Sequence, residues 1–276
     1  MITTEPLGVI RASAWPSLFD CAYRFYWQNI VGLRMPSAAP AALGTAVHAG
    51  TAVFDSAVLE GRPASVEEAI DASRKAVAEP EQEVVWDEDL SQRDADMLAI
   101  KLTARYCQDI APAQRYTAVE LQCTALDVVT QHGIVRLTGT TDRVRVLADG
   151  SKGITDLKTG GRATEKTEDG RGRRAVTKGH QMQLGVYTLM AEQATGERMD
   201  APAQIVGLQT TKETPVATGE IADVKTPLLG TDDAPGLIEI AASMLKTGTF
   251  PPNPKSMLCS TKYCAARAAG RCRYHD

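Results

Sequence analysis

The chain has 276 residues, with 30 Lys and Arg against 34 Asp and Glu, a formal net charge of −4. Hydrophobic residues make up 43% and charged ones 23%, which excludes a disordered or collagen-like chain and leaves enough apolar material for a full core. A net acidic chain is not a general coat for nucleic acid, which needs a global excess of cations, although a local basic groove is compatible with it.

The opening MITTEPLGVIRAS lacks a basic stretch followed by an apolar core, so no secretory signal is expected. No run of eighteen apolar residues predicts a membrane span, and a cytoplasmic protein is the expectation. Six of the fourteen aromatic residues (Trp15, Phe19, Tyr23, Phe25, Tyr26, Trp27) crowd around Cys21, as in a helix docked into the core. Ala41 to Gly61 reads as a helix with Leu43, Val47, Phe54 and Val58 on one side. Ser65-Val66-Glu67-Glu68 is a capping box opening a helix that ends before Pro80, and Leu90 to Ile110 supplies a third.

From Tyr116 the texture changes. Tyr116–Leu126, Gly133–Leu147 and Gly153–Leu157 are rich in Val, Thr and Leu and read as a β-meander. Helix returns over Lys178–Thr195, strand over Ala203–Thr211 and helix over Pro235–Leu245. The segment from Phe250 is Pro-rich, polar and without period. Helices, an antiparallel sheet, then helix, strand and helix make a mixed α/β (α+β) protein and not a regular βαβ repeat.

The main chemical signal lies in the second and third of these strands. If Ala148-Asp149-Gly150 is a three-residue loop with Gly150 left-handed, paired positions sum to 298, and Asp142 faces Asp156. Lys158, two residues on, shares that face because strand side chains alternate. Adjacent carboxylates repel, and a hard divalent cation relieves the repulsion through oxygen ligands. A solvated hairpin with a cross-strand ion pair would use the same residues. Three further features are weak singly: His48 in Gly44-Thr45-Ala46-Val47-His48, and Gln183 with Tyr187, which share a helix face at i, i+4. Six cysteines in a reducing compartment suggest a metal or cluster before disulfides.

Taken in order, these motifs resemble the RecB-like branch of the PD-(D/E)XK nuclease superfamily. That branch carries Gly-x-x-x-His, Gly-x-x-Asp-Arg-Val, Asp-x-Lys-Thr-Gly and Gln-x-x-x-Tyr, here Gly44–His48, Gly139–Val144, Asp156–Gly160 and Gln183–Tyr187. The resemblance implies one nuclease domain over 1–276, with a restriction-endonuclease-like core of mixed sheet flanked by helices. It divides into a helical part (1–115), the catalytic sheet and Gln/Tyr helix (116–211) and a C-terminal helix with a Cys-rich segment (212–276). It makes His48, Asp142, Asp156 and the Leu157 carbonyl ligands of Mg²⁺ or Mn²⁺. Asp142, Asp156, Lys158, Gln183 and Tyr187 become the catalytic set, with Lys158 serving the nucleophilic water. Glu120 matches a glutamate often present on the preceding strand, its role open.

The resemblance extends to the cysteines. Iron–sulfur members hold a [4Fe–4S] cluster with one N-terminal and three C-terminal thiols, here Cys21, Cys259, Cys264 and Cys272, tying the chain ends together. Ala22 replaces the usual proline after the first. Spacing alone leaves zinc open. Cys107 and Cys123 sit inside regular elements and are expected to be structural.

Between Lys158 and Lys178 seven basic residues face three acids, with four glycines, which reads as a mobile loop beside the site. Arg162, Lys166, Arg171, Arg173, Arg174 and Lys178 would track DNA phosphates there, or would simply be a solvated linker. The function expected from the resemblance is a metal-dependent exonuclease acting on DNA with a free end, prokaryotic or phage-encoded. Recombination, repair, phage DNA processing and CRISPR spacer acquisition all use the fold, alone, as a homo-oligomer, or with a helicase or recombination partner. The other class is a non-catalytic DNA-binding or scaffold subunit that keeps the fold; intact His48, Asp142, Asp156 and Lys158 argue against it.

Overall fold

The computed structural model of the chain describes residues 5–274. Strand β1 (Gly8–Arg11) leads into two short helices, α1 (Trp15–Asp20) and α2 (Ala22–Phe25), separated by Cys21 in extended conformation. A two-residue parallel pair, β2 (Ser37–Ala38) with β3 (Val84–Val85), brackets the helices α3 (Ala39–Leu59) and α4 (Val66–Ala78). Helix α5 (Gln92–Arg105) follows and closes in a wide π turn, Tyr106–Ile110. Ser65 and Ser91 cap α4 and α5 by accepting from Glu68 N and Asp94 N, each at 3.2 Å, contacts commonly worth ~1 kcal/mol.

The strands β4 (Tyr116–Gln122), β5 (Leu126–Thr130), β6 (Gly133–Thr138), β7 (Thr140–Val146) and β8 (Lys152–Gly160) do not form the expected simple meander. β5 and β6 leave for a separate three-stranded sheet with β1, while β4 pairs with β7 across the excursion. The switch falls at Gly139, where a Cβ would stand 3.1 Å from the Tyr187 ring and 3.3 Å from Ala12 Cβ, tighter than ordinary packing allows. The main sheet is completed by β11 (Ala203–Gln209), parallel to β8, and β12 (Val216–Ile221), giving the mixed order β12-β11-β8-β7-β4.

The β7–β8 register is the expected one. Arg143 pairs with Thr155 and Val144 with Ile154, and Gly150 closes the loop at φ 86°. By contrast, residues 160–178 are not an irregular loop. They form a hairpin, β9 (Thr164–Lys166) with β10 (Arg173–Ala175), packed against β11 and β12.

Helix α6 (Gln181–Thr195), ended by left-handed Gly196, covers one face of the main sheet with the N-terminal segment, while α8 (Leu237–Thr247), which follows the short α7 (Thr226–Leu229), packs on β5 and β6. That core joins Trp15, Leu18 and Phe25 to Val144, Ile154 and Ile205. The other face carries α3, α4 and α5, packed through Leu43, Val47, Ala99 and Leu102 on Leu157, Val206 and Leu208. Helix α3 is long and apolar enough, by length and composition, to cross a membrane, contrary to the expectation from unbroken apolar runs. Here it lies between the sheet and α4, and Val58, expected on its buried side, is 56% exposed.

Candidate metal and catalytic site

Pairing between β7 and β8 runs as far as Arg143 and Thr155, after which the strands separate. Asp142 fills the gap. Its Oδ2 accepts the Leu157 N–H at 2.8 Å, and on the other side of the same peptide unit's residue His48 Nε2 donates to the Leu157 carbonyl at 3.0 Å. His48 Nδ1 lies 3.4 Å from Asp142 Oδ2, so α3 and β7 meet at one histidine–carboxylate contact. Burial pushes His48 down, but the Asp142 carboxylate outweighs it and the net direction is upward. Burial would raise Asp142; His48, Lys158 and the Leu157 N–H outweigh it and hold the carboxyl at about 2.

Asp156 is 1% exposed. Burial and the Asp142 charge push it up to about 6 against the pull of Lys158, whose Nζ is 2.6 Å from Asp156 Oδ2. Gln183 Nε2 reaches Asp156 Oδ1 at 3.5 Å and donates to the Tyr187 hydroxyl at 3.1 Å. The expected set of Asp142, Asp156, Lys158, Gln183, Tyr187 and His48 is therefore one neighbourhood.

The donors that converge most closely include one whose role was open. His48, Glu120 and Asp142 offer ligand atoms within 4.8 Å of one another; Asp156 stands outside that group and turns to Lys158. Glu120 holds φ at 49°, left-handed backbone that is costly for a residue with a Cβ and that clusters at functional sites. Its carboxylate is fixed by Arg143 Nη1 at 3.0 Å, which also donates to the Asp142 carbonyl at 2.7 Å. One imidazole and two carboxylates are a hard, oxygen-rich donor set suited to Mg²⁺ or Mn²⁺.

Arg143 belongs to a buried network the sequence reading missed. Its Nε donates to Asp55 at 2.7 Å and its Nη2 to the Thr51 hydroxyl at 3.2 Å. The Tyr106 hydroxyl donates to Asp55 at 2.6 Å and lies 3.1 Å from that of Tyr116. The signal was present: His48, Thr51 and Asp55 form a polar line at i, i+3 and i+7 on an apolar helix. His180, at the start of α6, was missed too. Burial and the nearby Lys158 ammonium push it down to about 4, so it is neutral beside the site.

Cys21, Cys259, Cys264 and Cys272 line one pocket between the chain ends. Asn253 N donates to Cys21 Sγ at 3.3 Å, and Arg267 Nη1 lies 3.7 Å from Cys259 Sγ. Arg24 lines the same pocket, 6% exposed, with a buried Nε that has no partner. Thiolates bound to a metal or cluster would meet both N–H donors and a cation there, so the residues fit such a group. The ends are also tied directly, through Ser256 Oγ to Asp20 at 2.6 Å and the edge-on Tyr23–Tyr274 contact at 5.3 Å. Cys107 is buried and its thiol is pushed up to about 12, chiefly by desolvation; Cys123 donates to the Leu121 carbonyl at 3.6 Å. Both lie outside the pocket, as expected.

Of the expected phosphate contacts, Arg173 is engaged by Thr164 and Gln209, and Arg174 pairs with Glu165 at 2.9 Å. Arg162, Lys166, Arg171 and Lys178 have no carboxylate within 4 Å among the described residues. Gly207, paired with Lys158 across β11 and β8, lies directly under Ala163 and Ala175, so the hairpin flanks the Lys158 side of the site.

A family model described as the PD-(D/E)XK nuclease superfamily matches residues 12–273. No curated protein matches the sequence. Among solved structures, the chain is similar to a protein from Eubacterium rectale named as a candidate exonuclease. The two share 16% identity at a TM-score of 0.56, over 92% of this chain and 87% of that one, a likeness of fold. The protein SSO0001 shares 13% identity over 96% of this chain and 87% of that one, at a TM-score of 0.42 too low to inform the fold.

Proposed function

The chain belongs to the PD-(D/E)XK nuclease superfamily, and on that footing we propose that it is a divalent-metal-dependent exonuclease of the RecB-like type, hydrolysing DNA from a free end. The observation that carries this reading is the convergence of His48, Glu120 and Asp142 beside the Lys158–Asp156 pair. A bound Mg²⁺ or Mn²⁺ supplies Lewis acidity and lowers the pKa of water. His48, Asp142 and Glu120 hold the cation, with Asp156 and the Leu157 carbonyl completing the ligand set. Lys158 neutralises charge that develops on the scissile phosphate. Gln183 and Tyr187 orient Asp156 from α6. Arg162, Lys166, Arg171 and Lys178 on the hairpin segment meet phosphates on one side of the cleft.

The four pocket cysteines hold a [4Fe–4S] cluster in this reading. Soft thiolates suit iron–sulfur or zinc, and the colour of the purified protein separates the two. The N-terminal segment packs with α6 and α8 rather than with α3–α5, which supports one nuclease domain over 1–276. A cytoplasmic setting with a helicase, a recombination protein or a second copy as partner accords with the same reading.

The test is digestion of end-labelled single- and double-stranded DNA in Mg²⁺ and Mn²⁺, with each end blocked in turn. Label release that needs metal and an open end is expected. Metal-dependent DNA binding without hydrolysis would make the chain a scaffold subunit instead.

A further inference from the structure

A second feature involves none of the residues assigned above. A polar groove of about 420 Å³ runs between the N-terminal segment, the approach to α3 and the cysteine-bearing segment. Arg11, Ser13, Gln28, Arg34, Lys262 and Tyr263 line it, and no Asp or Glu does. Arg11 and Arg34 are exposed and have no carboxylate within 4 Å among the described residues. Lys262 is partly offset, with Asp87 at 3.0 Å and Asp89 at 3.4 Å, and its Nζ lies 5.7 Å from the Tyr263 ring centroid. Tyr263 is 42% exposed, an aromatic face left open among cations and amides.

Both walls of the groove belong to segments that continue into elements of the candidate site. Arg11 pairs with Thr138 at the end of β1, and Ala12 and the Tyr187 ring both close on Gly139. Across the groove, Met35 to Ala38 run directly into α3, which carries His48 ten residues beyond Ala38. That is about 15 Å of helix rise, the length of about four stacked nucleotides at about 3.4 Å each. A cationic track with an open aromatic ring matches what a single strand needs: charges along the phosphates and a platform for a base. A blunt duplex would present its bases already stacked and leave Tyr263 without a partner.

We propose that this groove binds a single DNA strand, with Arg11 and Arg34 on phosphates and Tyr263 under a base, and delivers its end to the candidate site. The proposal rests on the nuclease reading for its direction toward His48, but the binding itself can be measured apart from hydrolysis. The experiment measures affinity of the full-length protein for fluorescent dT20 in Ca²⁺ across a salt series, for wild type, the double variant R11A and R34A, Y263A, and R198A as a control on an 82%-exposed arginine elsewhere.

Loss of two phosphate contacts should lower the salt slope by about 1.4, at about 0.7 per contact for single strands. Y263A should weaken dT20 at least about fivefold, as expected for a lost stacking partner. R198A should match wild type. An unchanged slope and affinity in the double variant, or equal dependence on all three residues for a blunt 20-base-pair duplex, would overturn the groove. Failure of wild type to hydrolyse either dT20 or an open-ended duplex in Mn²⁺, with these binding effects intact, would instead sink the nuclease reading and leave the groove standing.

Discussion

Asp142 accepts the backbone N–H of Leu157 at 2.8 Å, across the point where β7 and β8 cease to pair. A carboxylate thereby replaces a strand-to-strand hydrogen bond, and the separation it stabilises lets His48 on the opposite helical layer reach the same residue's carbonyl. An isosteric amide at 142 keeps an acceptor for Leu157 but loses the charge. Asp142→Asn should therefore fold with little change in melting temperature while losing cleavage. Thermal melts alongside digestion rates check both halves.

Lys158 is held 2.6 Å from Asp156 and a quarter exposed, which leaves its ammonium open to a substrate phosphate. Removing one stabilising group of this kind commonly costs about a hundred- to thousandfold in turnover. Lys158→Ala should show that loss in kcat with Mn²⁺ affinity little changed. A defect confined to KM would make Lys158 a phosphate anchor.

Glu120 shares the cation group with His48 and Asp142, on left-handed backbone. Glu120→Gln should raise the Mg²⁺ concentration for half-maximal activity about tenfold or more, the scale on which weakened ligation is felt. Full activity at unchanged Mg²⁺ would remove Glu120 from the ligand set.

The Arg143–Asp55 pair is buried on both sides, at 0% and 2% side-chain exposure. Removing one partner strands a buried charge, so Asp55→Ala should cost ~3–5 kcal/mol in denaturant unfolding. Replacing both, Arg143→Met with Asp55→Leu, should recover part of that stability. Activity should not return, because Arg143 also fixes Glu120 and the Asp142 carbonyl.

The cysteines divide by environment. Cys107, buried and with its thiol pushed up to about 12, should resist iodoacetamide at pH 8 in the folded protein, and Cys107→Ser should keep any cluster colour. If the pocket holds the proposed cluster, Cys264→Ser should bleach the visible colour of anaerobically purified protein and expose both termini to protease. Colourless wild type with stoichiometric zinc would assign the pocket to zinc.

How much of this was legible in the sequence depended on whether local chemistry or distant packing decided it. The Ala148-Asp149-Gly150 loop sets the β7–β8 register locally, so the pairing of Arg143 with Thr155 could be counted off in advance, whereas the parting of the strands at Asp142, which takes the Leu157 N–H instead, could not. Ser65 announced α4 by local chemistry too. The excursion of β5 and β6 could not be read that way, because it turns on how closely Gly139 approaches Tyr187, 48 residues away. The 160–178 segment looked irregular because its glycines and charges hide two three-residue strands, which pair with each other and pack against β11 and β12. Glu120 joins the cation group through Arg143, a buried charge whose side-chain partners come from two other elements, α3 and β4.

The most direct measurement is release of end label from single-stranded DNA in Mn²⁺ by wild-type protein and by Asp142→Asn, with and without EDTA. Wild type should release label only with metal present, and the folded variant should release none above background. Release that survives EDTA, or undiminished release by the folded variant, would contradict a metal-dependent nuclease centred on Asp142.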